Sequence, residues 1–218
     1  MSTFIYIQPA DSGLAPCVHN RIWSLALCKP TIRRCAKAGD FVLAVSPVDD
    51  GHRLNSWAKI KARISTQAFS KNYPANRADN IYKLLPNGKF VRRKNVKHKL
   101  HSSAEDLHHD LGKNGKSAWV LISTSFFAFG NRAPEFSAWT RGLPHLADEV
   151  KKLGRAFRRN YDQNVENDLR KLERLLKKKY HLFHNKGFKP RHPGLEPPPE
   201  SPTEEKKYTC VSCRSHSV

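Results

Sequence analysis

The residues best suited to chemistry lie in the first forty positions. Asp11-Ser12-Gly13-Leu-Ala-Pro16 offers a carboxylate, a hydroxyl and a turn, and Cys28-Lys29 offers a thiol beside an ammonium, with Arg33 and Arg34 shortly after. A pocket that reads an extruded base needs a few fixed donors and acceptors beside an apolar wall. Asp11, Ser12, Gly13, Pro16, Cys28, Lys29 and Arg33 are the candidates to line it. Asp11 can accept from exocyclic amines, and Lys29, Arg33 and Arg34 can meet phosphate around the start of a short helix. As catalysts, Cys28 is the candidate nucleophile and Asp11 the candidate acid or base. Each has a plainer role as well. Asp11 can close an Asx turn on Ser12-Gly13, and Cys28 can be a small buried thiol ending the apolar run from Ser24. Cys17 and His19 supply a second thiol and base.

Two further groups carry possible metal ligands. His98, His101, His108 and His109, with Glu105, Asp106 and Asp110, form the denser one, but their spacing matches no standard zinc pattern. In so basic a chain they read as a loop facing nucleic acid. Cys210-Val-Ser-Cys213 with His216 has half a zinc site in a Pro-rich tail, and its metal binding stays open. There is no Gly-rich phosphate loop and no dinucleotide fingerprint, so no cofactor is expected.

The elements that must position these groups follow from periodicity and punctuation. Phe4–Ile7 and Phe41–Ser46 read as core strands, with a short apolar segment at Ile22–Leu27 and a helix at Pro30–Lys37 between them. Gly39-Asp40 reads as the turn into the second strand, and Asp79-Asn80 as a loop anchor. Ser56–Phe69 alternates apolar and charged residues and reads as one strand. Ile81–Leu85 and Phe90-Val91 flank Asn87-Gly88, a hairpin signal. Ser103–Leu111 reads as a capped helix, and Trp119–Ser123 and Phe126–Phe129 as buried strands. Trp57, Trp119, Phe126, Phe127 and Phe129 mostly fill the core. Beyond Pro144, Leu146, Val150, Leu153 and Phe157, then Val165, Leu169, Leu172 and Leu176, fall at helical spacing.

Charge points to the partner. The chain carries 39 basic against 19 acidic residues, a net charge of +20 in 218 residues. Between Lys151 and Arg191 alone, 14 basic residues face 4 acidic ones. Laid on phosphates, such residues release condensed counterions, so nucleic acid is the expected partner, DNA before RNA. Arg155, Arg158, Arg159, Arg170, Lys171 and Arg174 are the expected backbone contacts, with Arg34. No apolar run approaches the ~18 residues of a spanning helix, so no membrane partner is expected. An odd set of five cysteines argues for reduced thiols in the cytoplasm.

Asp11-x-Gly13-x-Ala15-Pro16, Cys28-Lys-Pro30-x-Ile-Arg33, Gly39-Asp40, Asp79-Asn-Ile-Tyr82 and Val120-Leu-Ile-Ser123, with Phe126 and Phe129-Gly130, resemble the second nucleotide-modification-associated domain family. That family is encoded mainly by phages and bacteria and is associated with DNA base modification. The resemblance covers residues 3–145. In architecture, the short helix, the Gly-Asp turn and the strand Ala58–Ile64 are similar to the PUA-like barrels of EVE, ASCH and YTH domains, several of which hold a nucleobase. The expected fold is therefore α+β, a mostly antiparallel PUA-like β-barrel with short helices over 1–143, a basic helical extension over 144–190 and a disordered tail over 191–218. The resemblance implies a nucleic-acid-binding protein that engages a modified base. The alternative is an enzyme that installs or removes a group on a nucleobase in the same pocket.

Overall fold

β1 (Thr3–Ile7) and β4 (Phe41–Val45), the two apolar runs that bracket the reactive loops, lie side by side and parallel, Thr3 opposite Phe41 and Ile7 opposite Val45. A parallel pair needs a crossover, and here it comprises β2 (Cys17–His19), β3 (Ile22–Leu25) and α1 (Pro30–Cys35). The computed structural model describes residues 2–96, 98, 100–112, 118–154, 157–158, 161–180 and 188–191.

β5 (Leu54–Lys59) pairs antiparallel with β4, β10 (Ser125–Ala128) with β5, and the two-residue β11 (Phe157–Arg158) with β1. These complete a five-stranded sheet in the order β10-β5-β4-β1-β11. β6 (Ala62–Ser65) and β9 (Trp119–Ser123) extend the β2–β3 pair into a four-stranded antiparallel sheet, β2-β3-β9-β6. The α+β class and the mainly antiparallel pairing are as expected. A closed barrel is not found: among the described residues no ladder joins the edge strands β10 and β11, or β2 and β6.

The expected single strand Ser56–Phe69 is divided into three. Before the corner, Ile60 donates to the Asp40 carbonyl at 2.7 Å; after it, Lys61 donates to the Ile122 carbonyl at 2.8 Å. The chain thus changes sheets at Ile60-Lys61. At Ser65 the side chain accepts from the Ala68 amide at 3.1 Å and starts α2 (Thr66–Asn72). β9 and β10 pass between the same two sheets at Thr124, where the Ser123 hydroxyl ties the corner by donating to the Lys59 carbonyl at 2.6 Å.

Alternation along β1 assigns its side chains to two layers. Phe4 and Tyr6 pack between the sheets with Trp23, Leu25, Val42 and Phe126. Ile5 and Ile7 face away, under α4 (Phe136–Trp139), α5 (Pro144–Lys151) and α6 (Gln163–Tyr180). Leu146, Val150, Val165, Leu169, Leu172 and Leu176 share that cluster with Leu43, Trp57 and Phe127, so the helices after Pro144 lie on the sheet itself. A third cluster lies over the four-stranded sheet, beneath α2, the hairpin β7 (Tyr82–Leu84) and β8 (Phe90–Arg92), and α3 (Ala104–Leu111). Leu84 pairs with Phe90 around the Asn-Gly turn, and Ser103 caps α3 in a capping box with Asp106, both as expected.

Phe157, expected on a helix, is instead in β11, which pairs with the β1 edge. No helix among the described residues is long and apolar enough to cross a membrane. Asp168 of α6 is buried and accepts from the His145 and Leu146 amides at 2.9 and 3.1 Å, capping α5 from outside because Leu143 at the cap position offers no acceptor. Asp168→Ala is expected to lower stability by about 1–2 kcal/mol in a urea melt; an unchanged midpoint would show that α5 does not depend on this bridge.

Candidate functional site

Cys28 and Lys29 both take left-handed backbone (φ 53° and 44°) where β3 hands over to α1. Non-glycine residues seldom adopt that region, and such strain persists only where the surroundings fix it. The surroundings here are specific. The Cys28 amide donates to Asp110 Oδ1 at 2.6 Å, and the Cys28 carbonyl accepts from Arg33 Nε at 2.7 Å.

The sulfur faces a base. Cys28 Sγ lies 3.6 Å from His101 Nε2, and His101 Nδ1 lies 2.7 Å from Asp110 Oδ2. His101 is also left-handed (φ 54°), and its loop is held by Arg92, whose guanidinium donates to the His101 carbonyl at 3.1 Å and to the Leu100 carbonyl at 3.3 Å. Tyr82 donates its hydroxyl to Asp110 Oδ2 at 3.0 Å. One carboxylate thus grips the backbone of the thiol residue with one oxygen and the imidazole with the other. Thiol, imidazole and carboxylate stand in the order used by cysteine nucleophiles.

The electrostatics follow from this packing. Burial alone would lower the His101 pKa, but its contacts to Asp110 and Cys28 outweigh it and raise it to about 10. Asp110 is fully buried, which opposes its charge, yet His101, His109 and Arg33 hold it well below the usual carboxylate range. Burial and the Asp110 charge push Tyr82 upward, so it stays a donor. Cys28, His101 and Asp110 can each offer one ligand atom within 4.8 Å of the others. The two ring nitrogens are turned to different partners, however, which suits a proton relay better than a metal cage.

Other predicted site residues fall in several places. Arg33 is fully buried and donates to the Trp119 carbonyl at 2.7 Å and also to the Asp110 carbonyl, so it faces the interior and not a phosphate. Arg34 is exposed, and its carbonyl accepts from Arg63. Lys29 Nζ lies 5.6 Å from the centre of the Tyr6 ring. Burial pushes the Cys17 thiol up, with Asp79 beside it, so Cys17 is no second nucleophile at rest. Asp40 accepts from the Ser2 and Lys37 amides at 2.6 and 2.9 Å, and Asp79 is bound to Arg77 at 3.0 Å; both are structural, as read. Trp119 is only half-buried, with Arg63 over its ring.

Asp11 is buried beside the strand that carries Tyr6. It accepts from Gln8 Nε2 at 3.4 Å and from the Arg191 amide at 3.3 Å, and it is bonded to the Gly13 amide, the Asx-type contact expected of it. Burial raises its pKa, and Arg191 partly offsets the rise. The segment Phe188–Arg191 lies across this loop. Gly13 (φ 78°) meets the Pro190 ring where a side chain would stand, and Gly130 (φ 54°) leaves no room for one against the Lys189 carbonyl, which also accepts from Asn131 at 2.9 Å. The Arg191 guanidinium is paired with Asp50. Ser12 is half-exposed and Pro16 buried in the same loop.

Of the basic helix, Arg170, Lys171 and Arg174 are exposed along the outer face of α6, the first two also paired with Glu166 and Asp168. Arg155, Arg159, Cys210, Cys213 and His216 lie outside the described residues, as does the side chain of Arg158.

Sequence reasoning named His101 and Asp110 as possible metal ligands and preferred to read them as part of a loop facing nucleic acid. His108 and His109 are exposed as that reading required, but His101 turns inward to Cys28, 73 residues away. Tyr82 was marked only as the end of the motif Asp79-Asn-Ile-Tyr82, with no contact to Asp110 foreseen. In comparisons with known proteins, the sequence model of one family, nucleotide modification associated domain 2, matches residues 1–190. No curated protein and no solved structure matches the chain.

Proposed function

The chain belongs to the nucleotide modification associated domain 2 family, and from that premise we propose that it is an enzyme of base modification. In this reading Cys28 is the nucleophile that installs or removes a group on a nucleobase, while exposed arginines and lysines hold the backbone of the nucleic acid, DNA by preference. The observation that carries the reading is the sulfur–imidazole–carboxylate alignment of Cys28, His101 and Asp110. A half-buried thiol kept only for packing has no use for a base aimed at it by a buried carboxylate. The left-handed backbone at Cys28, Lys29 and His101 supports it further, because strain of this kind collects where a side chain must be aimed.

His101 serves as the proton carrier. With its pKa raised to about 10 it holds a proton through neutral pH, facing the sulfur, and can pass that proton to a leaving group. Asp110 and Arg33 are positioning residues that fix the dyad. Asp11, under Phe188–Arg191, is the candidate group for reading the base edge. The basic face of α6 supplies affinity without sequence information.

The test is product analysis. The full chain is incubated with duplexes that are unmodified or carry hypermodified pyrimidines or purines, and the DNA is digested to nucleosides and weighed by mass spectrometry. Wild type is expected to convert one nucleoside, and Cys28→Ser to bind equally and convert none. Selective binding without conversion by either protein would make this a reader of modified bases. Conversion by Cys28→Ser at the wild-type rate would remove Cys28 from the chemistry.

A further inference from the structure

The charged residues of the strand that bends at Ile60 have no role in the scaffold. Lys59 and Lys61 are exposed on either side of the corner, and Arg63 follows on β6, an edge strand of the four-stranded sheet. Arg34 and Lys37 are exposed beside them. Arg63 donates to the Arg34 carbonyl, and the Lys37 amide donates to Asp40, whose carbonyl accepts from Ile60 at 2.7 Å. Among the described residues none of these five cations is paired with a carboxylate. Asp40 is buried, and both its oxygens accept from backbone amides. Asp49 and Asp50 lie past Val45, at the other end of β4. Like charges gathered in this way repel one another, and a polyanion laid on them relieves the repulsion.

Trp119 gives the patch an aromatic member. Trp23, Trp57 and Trp139 are buried, whereas Trp119 is half-buried. The Arg63 guanidinium lies 4.8 Å from the centre of its ring. A guanidinium plane backed by an indole is a surface on which an unpaired base can stack. Arg33 ties this surface to the thiol, because its guanidinium donates to the Trp119 carbonyl and to the Cys28 carbonyl, both at 2.7 Å.

We propose that Arg34, Lys37, Lys59, Lys61, Arg63 and Trp119 form a binding surface for single-stranded nucleic acid, with one base stacked on Arg63 and Trp119 and the lysines on neighbouring phosphates. The proposal rests on the reading of this chain as a nucleic-acid-binding protein, and adds to it a second surface and the strandedness of the ligand. α6 packs on the outer face of the five-stranded sheet, whereas this patch lies at the corner where the chain changes sheets, beside α1. A duplex keeps the faces of its bases covered by their neighbours, so the stacking part of the surface serves only unpaired nucleotides. That is the state in which a base is open to chemistry. A surface selective for it, one guanidinium away from the Cys28 backbone, favours strands already opened, while the exposed arginines of α6 make contacts that duplex and single strand both satisfy.

The full chain is titrated with a labelled oligothymidylate of about 12 nucleotides, and with the same strand annealed to its oligoadenylate complement. Anisotropy and tryptophan emission are followed across a salt series. Wild type is expected to favour the single strand and to lose emission on binding it, through Trp119, since the other three indoles are enclosed. Trp119→Leu should abolish that quench and weaken single-strand binding roughly 5- to 150-fold, with Trp119→Phe recovering part of the affinity. Lys37→Gln, Lys59→Gln and Lys61→Gln combined change only exposed side chains and should leave the urea midpoint in place. They should flatten the slope of log K against log salt for the single strand by about 2. Arg170→Gln with Arg174→Gln should weaken both ligands to the same extent. Equal or tighter binding of the duplex by wild type would overturn the proposal. So would a folded Trp119→Leu chain that binds the single strand as wild type does, or an unchanged slope in the lysine variant. Binding of neither ligand at low salt would remove the nucleic-acid reading itself, the α6 contacts included.

Discussion

Asp110→Ala is expected to lower stability by about 3–5 kcal/mol, the largest cost of any single change at the site. The carboxylate is fully buried and is shared by the Cys28 amide, the Tyr82 hydroxyl, His101 and Arg33. Deleting it leaves the Arg33 guanidinium in the core with its nearest countercharge gone, and that group cannot neutralise itself by losing a proton. It also strands a backbone donor and a phenol. The shift is read as a fall in urea midpoint at constant slope. Asp110→Asn, which keeps one acceptor, should fall between wild type and Asp110→Ala. Adding Arg33→Met to Asp110→Ala should recover part of the loss, because it removes the orphaned charge. A loss under about 1 kcal/mol for Asp110→Ala, the range of an exposed ion pair, would show that the cluster is not a structural unit. The depressed pKa sets the pH range of this contribution. It is fully present above about pH 4, the unfolded value of a carboxylate, and is lost as pH falls through the lower folded value.

The second large effect concerns His101 and has the opposite pH sense. Its pKa rises from 6.5 to about 10 on folding, so the imidazolium stabilises the fold fully below pH 6.5, and this support disappears as pH climbs through about 10. Wild type should therefore lose stability across that alkaline window, by a few kcal/mol at most, whereas His101→Asn should show a flatter profile there. The same variant should alter reactivity. Losing the imidazole that faces the sulfur at 3.6 Å is expected to slow Cys28 alkylation at neutral pH by about 10²-fold. The two proteins should converge as pH climbs through about 10, where His101 itself loses its proton. Parallel profiles offset by a constant factor would indicate that His101 only shapes the pocket. Cys17 and Cys35 are buried and serve as internal controls in the folded protein.

Much of the scaffold was legible because it follows from local rules. The apolar runs at Phe4–Ile7 and Phe41–Val45, the Asn-Gly hairpin and the Ser103 cap each depend on neighbours in the chain. The corner at Ile60-Lys61 was hidden for a physical reason. Period two reports which face is apolar, not whether the strand stays in one sheet, and the alternation runs through the bend while its apolar residues change layers. Ala58 and Ile60 pack between the sheets, and Ile64 packs against the outer side of the four-stranded sheet. Arg33 was misplaced because its charge suggests solvent, although Ile32, Cys35 and Ala36 beside it are all buried. The contact of Cys28 with His101 and Asp110 was the least visible feature. Cys28 and the histidine-rich loop were each noted, but no local rule connects groups so far apart in sequence. Only the packing of α3 against the start of α1 brings them together.

The strap Phe188–Arg191 also orders events during synthesis. Arg191 bonds Asp11 across 180 residues of chain, so the loop is made early and waits for a partner made much later. At ~5–20 residues per second that delay is roughly 10–40 s. Through this interval β1 can begin to pair, yet the cover over Asp11 does not exist. A nascent chain stalled after α6 would carry Cys28, His101 and Asp110 with the Asp11 loop uncovered. Closure over Asp11 is therefore tied to synthesis of the segment Phe188–Arg191, and Cys28, His101 and Asp110 are all made before the strap that covers Asp11.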